Sequence, residues 1–457
     1  MTVSRSLKTS EARQLAVELL YNILEKGAFA NLSLEKELAG SPLTSADKNL
    51  VTEIVNGTVR MLKHLDWVLD LFLNSDINKI NPWLRTILRM TLYQILFMDK
   101  IPAYAAIDEA VSLTRHKTNK NLSRVTNGVL RNLIRKAAEI TYPEAITEYL
   151  AVYYSHPEWI VTLLLDKFGS AVTEQILKYN NSPPGLMLRH NQLRGNRQEL
   201  IKILQQQDIN CLVSDRTPWA VAVKQLNIPL EKTDAFLQGC FYVQNEASML
   251  AASILQAAPG QTVYDLCSGV GGKTTHMAEV MQNKGVIKAY ELYDKKIKLL
   301  KKNCDRLGIN IVDVNAQDVL AIDEGTRLAD RVLLDAPCSG LGVLKRRSDM
   351  RWRRTPDSVL QLTRLQSDLL NKAGRLVDRG GLLLYATCTV NDSENENIVI
   401  QFLQQNPAYE LESFDREIAY FALDDGDSRC AARGMLTIIP GKYETDGMFY
   451  ALMRRKF

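Results

Sequence analysis

From about residue 240 onward, short apolar runs alternate with helical patterns, and this alternation constrains the 457-residue chain more than any other feature. Thr262 to Cys267, Val286 to Tyr290, Ile311 to Val314, Arg331 to Asp335 and Leu382 to Ala386 read as strands. Lys296 to Leu307 reads as a helix, with Gly308 placed to cap it. Strands separated by helices predict an α/β fold with a doubly wound, Rossmann-like parallel sheet. Such a sheet binds ligands beyond the carboxyl ends of its strands.

The first 140 residues follow a different period. Leu15, Leu19, Leu20, Ile23 and Leu24 recur at helical spacing, as do Leu84, Ile87, Leu88, Leu92, Ile95 and Leu96. Asn81-Pro82 marks a helix start, because proline fits the first turn. Between about 140 and 235 the pattern is mixed. Ser182-Pro183-Pro184-Gly185 breaks it, a strand-like Leu186-Met187-Leu188 follows, and Glu199 to Gln207 reads as helix. The predicted organisation is an all-α domain over 1–140, a small α+β connector over 141–235 and the doubly wound domain over 236–457.

No apolar run reaches the roughly 18 to 20 residues of a membrane helix. Met1 to Lys8 is polar and lacks a signal core. A cytoplasmic protein with no membrane partner is expected. The seven cysteines are scattered, with no C-x-x-C pair. That argues against a disulfide framework and against structural zinc, so no metal is expected. The net charge of +4 is too small to imply a polyanion partner by itself.

The first predicted strand of the sheet feeds Cys267-Ser268-Gly269-Val270-Gly271-Gly272-Lys273-Thr274. A glycine-rich turn at a strand end lets backbone amides approach a ligand. A plain strand–turn–helix connection is the alternative. A Walker A loop would need glycine at Cys267, and the dinucleotide fingerprint would need it at Thr274. Glu291 ends the next strand, twenty residues after Gly271, where an acid can accept both ribose hydroxyls of an adenosine ligand. Asp318 follows the third strand and could reach an adenine amine. Turn glycines followed by acids after strands two and three suit S-adenosylmethionine, which has no pyrophosphate to cradle.

Asp335-Ala336-Pro337-Cys338 and Thr387-Cys388-Thr389 end two more strands. A lone cysteine is usually a small buried hydrophobe. Two of them at the ligand-binding edge of a sheet favour chemistry. Methylation of cytosine at C5 uses such a set. A thiolate added to C6 breaks the ring's conjugation and makes C5 nucleophilic toward a methyl sulfonium. A carboxyl group near N3 would hold the base, and Asp335 is the candidate. Lys273 could supply a cation near the base or the cofactor.

At these residues the sequence resembles the bacterial Fmu/Sun group of the Nop/Sun RNA 5-methylcytosine methyltransferases, over nearly the whole chain. Gln244-Asn245-Glu246-Ala247-Ser248 resembles the family's Q-D-E-A-S, and Cys267 to Thr274 its C-A-A-P-G-G-K-T. Asp335 to Ser339 resembles D-A-P-C-S, Thr387-Cys388-Thr389 resembles T-C-S, and Glu394-Asn395 the E-N that follows. Asp446-Gly447-Met448-Phe449-Tyr450 resembles the terminal D-G-F-F strand. The resemblance implies that Cys388 is the C6 nucleophile and that Cys338 helps release the methylated product. It implies a cofactor pocket formed by Cys267, Ser268, Gly269, Val270, Gly271, Gly272, Lys273, Glu291, Asp318 and Asp335. It also implies a small-subunit (16S) ribosomal RNA substrate and a monomeric enzyme. The chain departs from the pattern at Ser268-Gly269-Val270, at Glu291, where Asp is usual, and at Asn245. The N-terminal region resembles the NusB-type RNA-binding domain through residues Pro102 to Val111 and Asn127 to Arg131, and His156 to Trp159 and Leu188 to Asn191 resemble the family's connector.

Residues 115–136 hold Arg115, Lys117, Lys120, Arg124, Arg131, Arg135 and Lys136 and no acid. The run after Cys338 holds Lys345, Arg346, Arg347, Arg351, Arg353 and Arg354 against Asp349 alone, with Trp352 among them. Charge runs are commonly solvated faces. Here phosphate contact is expected at Arg115, Lys117, Lys120, Arg124, Arg346, Arg347 and Arg351. Trp352 is either a base-stacking residue or partly buried. His190 and His276 lack metal-ligand spacing and read as structural. Two other functions compete: a methyltransferase with another target atom, and a NusB-like assembly factor with a vestigial enzyme domain. The Asp335-Ala336-Pro337-Cys338 loop disfavours the first, and intact Cys388, Asp335 and Lys273 disfavour the second.

Overall fold

The structure, a computed structural model, describes residues 10–226, 228–323 and 325–457, so the polar Met1 to Lys8 segment lies outside the described residues. The chain packs as two compact units. One comprises residues up to Ser182 together with Leu344–Arg353, and the other Pro183–Val343 together with Arg354–Phe457.

The first unit is all helix. Glu11–Leu24 and Pro82–Phe97 carry the predicted apolar stripes, Ser45–Arg60 packs with them, and Leu19, Leu20, Ile54, Ile87 and Leu88 are buried in the core. Asn81 caps its helix as expected, its Oδ1 accepting from the Trp83 and Leu84 amides at 2.9 and 3.2 Å. Helices Ala103–Lys117 and Lys120–Arg135 follow. The packed helical unit continues past residue 140. Helices Ile146–Tyr153 and Glu158–Asn181 belong to this unit. The reason is local: the Lys63 amide donates to Ser155 Oγ at 3.0 Å, and the His64 ring bonds Tyr153 O at 3.1 Å. The packing of the two units divides at the break Ser182-Pro183-Pro184.

The second unit holds two sheets. Strands β1 (Leu186–His190), β2 (Asn210–Val213), β3 (Ala220–Gln225) and β4 (Phe241–Val243) form an antiparallel sheet in the order β2-β3-β1-β4. Strands β5 (Thr262–Asp265), β6 (Val286–Glu291), β7 (Val312–Ala316), β8 (Ala329–Asp335) and β9 (Val377–Thr387) form the predicted parallel sheet in the order β7-β6-β5-β8-β9. The sheet as a whole is mixed. Strand β10 (Tyr409–Leu411), β11 (Met435–Ile438) and β12 (Met448–Arg455) extend it antiparallel, with β12 paired to β9. The central strands are near-continuous apolar runs because helices cover both faces of a parallel sheet. Strand order reverses between β5 and β8, which places a crevice at their carboxyl ends. No helix of the described residues is long and apolar enough to cross a membrane.

Candidate active site

Strand β5 ends in the glycine-rich turn. Gly269 and Gly271 adopt φ of 58° and 93°, the left-handed region that glycine tolerates. A Cβ on Gly271 would also sit 2.3 Å from Leu300 Cδ1. The turn is tied down by Ser268, whose amide and Oγ both donate to Tyr290 O at 3.0 Å, and by Asn303 Nδ2 donating to Val270 O at 2.9 Å. Helix Gly272–Val280 starts directly after it.

The acids take up the expected places with unequal burial. Glu291, at the end of β6, is buried, and its Oε1 accepts from the Leu292 and Tyr293 amides at 3.0 Å each. Its other oxygen has only Lys296 Nζ, at 3.5 Å, so it retains capacity for a diol. Asp318 is exposed and caps a short turn through Leu320 N at 3.0 Å. Asp265, which the sequence did not single out, is fully buried at the end of β5. Its Oδ2 accepts from Thr274 Oγ1 at 2.6 Å, while Oδ1 has no partner. An open glycine cradle, a half-satisfied Glu291 and an orphaned Asp265 oxygen fit a polar, non-phosphate ligand such as S-adenosylmethionine. Residues Cys267 to Lys273 and Glu291 would hold it.

Two strand ends bring the reactive groups together. Lys273 Nζ lies 2.5 Å from Asp335 Oδ2 at the end of β8. Burial alone would lower the Lys273 pKa, but the Asp335 charge and hydrogen bond, with Cys388 and Asp265 adding to them, hold it above its ordinary value. Cys338 Sγ lies 3.3 Å from Cys388 Sγ, and the Cys388 amide also points at Cys338 Sγ at 3.3 Å. Cys338 is the more buried of the two. A hydrogen bond donated to Cys388, together with burial, pushes the Cys338 thiol well up. Cys267, in the turn, is held as a thiol mainly by burial.

Behind the sulfurs stands a buried carboxylate that also carries no role in the sequence-based reading. Glu394 Oε1 accepts from the Ser339 amide at 2.7 Å and from Gln366 Nε2 at 3.1 Å. Its Oε2 accepts from Ser339 Oγ at 2.5 Å and Asn391 Nδ2 at 3.3 Å. Both cysteine-bearing loops thus hang from one side chain. Arg354 adds donors to Ser339 O and Cys338 O, each at 3.1 Å. On the other side of the turn, fully buried Arg189 of β1 pairs with Glu279 at 2.7 Å. It also reaches Gly272 O at 2.7 Å and Thr275 Oγ1 at 2.9 Å. Glu394 and Arg189 fall within motifs quoted for the family resemblance, but only partner geometry gives them a role, and Glu279 lies in no such motif.

The cationic residues divide. Arg115, Lys120 and Arg124 are exposed, and Lys117 pairs with Glu18 at 2.6 Å. Arg346 and Arg347 are exposed. Arg351 is not available to a phosphate: it is fully buried in the helical unit. It donates to Ser155 O at 3.0 Å, Asn181 Oδ1 at 2.9 Å, Asn180 O at 3.3 Å and Arg60 O at 3.4 Å. Those carbonyls stand at or just beyond the ends of three helices, where orphan acceptors and the helix dipoles favour a cation. Trp352 is half-buried and donates through Nε1 to Val59 O at 2.7 Å. His276 is buried, and His190 bonds Gly195 O at 2.8 Å. Among the described residues no cluster of His, Cys, Asp or Glu could hold a metal ion.

Comparison with known proteins agrees with this geometry. Residues 252–454 match the family described as 16S rRNA methyltransferase RsmB/F, 10–135 the NusB family, and 156–228 a ferredoxin-like domain of RsmF/B-like methyltransferases. The probable ribosomal RNA small subunit methyltransferase B of Bacillus subtilis is 34% identical, over 98% of this chain and 100% of its own. The corresponding Synechocystis protein is 34% identical over 97% and 99%. The crystal structure of PH0851 matches with a TM-score of 0.81 at 28% identity, covering 98% of this chain and 99% of that one. NSun6 from Pyrococcus horikoshii, solved with SFG, shares the fold at TM-score 0.57 and 22% identity, over 68% of this chain and 98% of its own. The chain belongs to the ribosomal RNA small subunit methyltransferase B family.

Proposed function

We propose that the protein methylates C5 of a cytosine in small-subunit (16S) ribosomal RNA, with S-adenosylmethionine as donor and Cys388 as a covalent nucleophile at C6. The observation that carries this reading is the sulfur pair, 3.3 Å apart beside the Lys273–Asp335 ion pair at the ends of β8 and β9. When bound, S-adenosylmethionine supplies the electrophilic methyl group. Cys388, the more accessible sulfur, forms the bond to C6. Asp335 faces N3 and the exocyclic amine and carries the Cys388 thiol proton to N3 as the C6–S bond forms, and Lys273 orients its carboxyl group. As the C6–S bond breaks, Cys338, 3.3 Å from the departing sulfur, gives its proton to Cys388 and takes up the C5 proton in exchange.

One denaturing gel tests the assignment, with wild type, Cys388→Ala and Cys338→Ala each given RNA and S-adenosylmethionine. Cys388→Ala should lose turnover and form no adduct, while still folding and binding S-adenosylhomocysteine. Removing one sulfur leaves a small void costing on the order of 1 kcal/mol. Cys338→Ala should trap RNA as a nuclease-sensitive, slow-migrating band. The opposite pattern reverses the roles, and full activity in both variants ends the covalent mechanism.

A further inference from the structure

The helical unit carries a groove of about 500 Å³ between helices Ala103–Lys117 and Lys120–Arg135, lined by Tyr104, Ile107, Gly128, Arg131, Asn132 and Arg135 among others. We propose that this groove takes one unpaired RNA base, stacked on Tyr104 above Gly128, with the flanking phosphates on Arg131 and Arg135. The inference rests on the RNA-methyltransferase reading and adds to it a site far in sequence from the cysteines.

Gly128 is the first argument. It lies inside a 16-residue helix, where glycine is a weaker helix former than alanine. Neither positive φ nor close packing requires it, since a Cβ there would meet nothing within 4 Å. What the missing side chain leaves is open floor in the groove. Charge is the second argument. Arg124, Gly128, Arg131 and Arg135 recur at i, i+4, i+7 and i+11, one stripe of the helix, so the glycine is a gap in a row of exposed cations. The chain has no Asp or Glu from Ala110 to Ala138. Asp108 and Glu109 of the opposite helix do not line the groove. Arg131 and Arg135 are braced along the helix by Asn127 and Asn132, each at 2.8 Å, which leaves their remaining donors outward. Tyr104 is the third. It is 72% exposed, an aromatic face in water beside that basic row. An aromatic platform, a flat floor and adjacent cations are what single-stranded RNA recognition uses, and Asn132 adds an amide for a base edge.

The test uses the full chain and three short fluorescent probes: oligo(U), oligo(A) and a ribose-phosphate strand without bases. Affinity is read by anisotropy between about 50 and 200 mM salt. Wild type should prefer the base-bearing strands by about tenfold. Gly128→Leu, which fills the groove with a good helix former, and Tyr104→Ala should lose that preference and keep the salt slope. Arg131→Ala should weaken all three probes alike and reduce the slope by about one. Gly128→Ala, with a raised melting temperature, verifies that the helix tolerates a side chain there. A Gly128→Leu protein with wild-type base preference overturns the proposal, as it would if the groove received a peptide from a protein partner. Methyl transfer to 16S RNA is measured alongside. Intact transfer by wild type together with that result removes the pocket alone, whereas no transfer to RNA by wild type removes both readings.

Discussion

Residues 115–136 and 345–354 are both rich in arginine and lysine and poor in acids, and the fold treats them in opposite ways. In the first, helical spacing turns Arg115, Lys120, Arg124, Arg131 and Arg135 outward, and water screens them. In the second, a short helix, Met350–Arg353, turns charge inward. Arg351 closes the ends of three helices, and Arg353 donates to Gly27 O at 3.0 Å while stacking 4.1 Å from the Phe29 ring. Asp349 accepts from the Ala30 amide at 3.1 Å. What separates the two segments is the supply of unpaired carbonyls around them. A guanidinium carries five donors, enough to satisfy several helix ends at once. A charge run therefore reports what a segment can donate to, and phosphate is only one such acceptor.

The sharpest way to break the comparison is Arg351→Ala. Its hydrogen bonds end on buried carbonyls, so the variant should lose about 3 to 5 kcal/mol in urea unfolding. Unchanged stability would mean that the inward segment is as dispensable as a solvated face. The same lesson should hold for the opposite sign. Burial raises the Asp265 pKa from 3.8 to about 7. The unfolded chain releases that proton near pH 4 and the folded chain near pH 7. Between those values the unfolded state binds fewer protons, so stability falls as pH rises, by about 4 kcal/mol in full. Asp265→Asn should flatten that fall, leaving the variant matched to wild type at pH 4 and more stable at pH 8. Parallel pH profiles would show that Asp265 carries no such burden. The smallest stability effect belongs to the exposed pair. Arg346→Glu and Arg347→Glu should each shift stability by no more than about 0.5 kcal/mol. They should also weaken RNA binding with a shallower salt dependence. A stability loss like that of Arg351→Ala would place them with the inward group.

The helices at Glu11–Leu24 and Pro82–Phe97, the Gly308 cap, whose φ is 73°, and the five parallel strands were legible because each follows from a local period or a single backbone requirement. The meeting of Asp335, Cys338 and Cys388 was legible for a related reason. Parallel strands put their carboxyl ends on one edge, so residues that end strands become neighbours. The antiparallel β10, β11 and β12 were not part of the parallel pattern, since β12 is a nearly unbroken apolar run whose direction only its partners decide. The destination of 344–353 was equally hidden, because nothing near Arg351 in sequence announces the three helix ends. Glu279 looked like an ordinary polar residue, and Arg189 and Glu394 lay in family-like motifs without a role attached. Their burial depends on partners as far as 55 positions away for Glu394 and 90 for the Arg189–Glu279 pair.

The Arg189–Glu279 pair bears on how freely this family's parts can be exchanged. The stretch matching the ferredoxin-like domain ends at residue 228 and the methyltransferase match begins at 252, as though the two were beads on a string. Yet the guanidinium of β1 is locked into the first turns of the helix that follows the glycine-rich turn. A chimera that took its small sheet from one relative and its catalytic sheet from another would inherit a lock and a key cut separately. In this chain an exchange of either sheet has to keep Arg189 matched by Glu279, because either one alone is a buried unpaired charge.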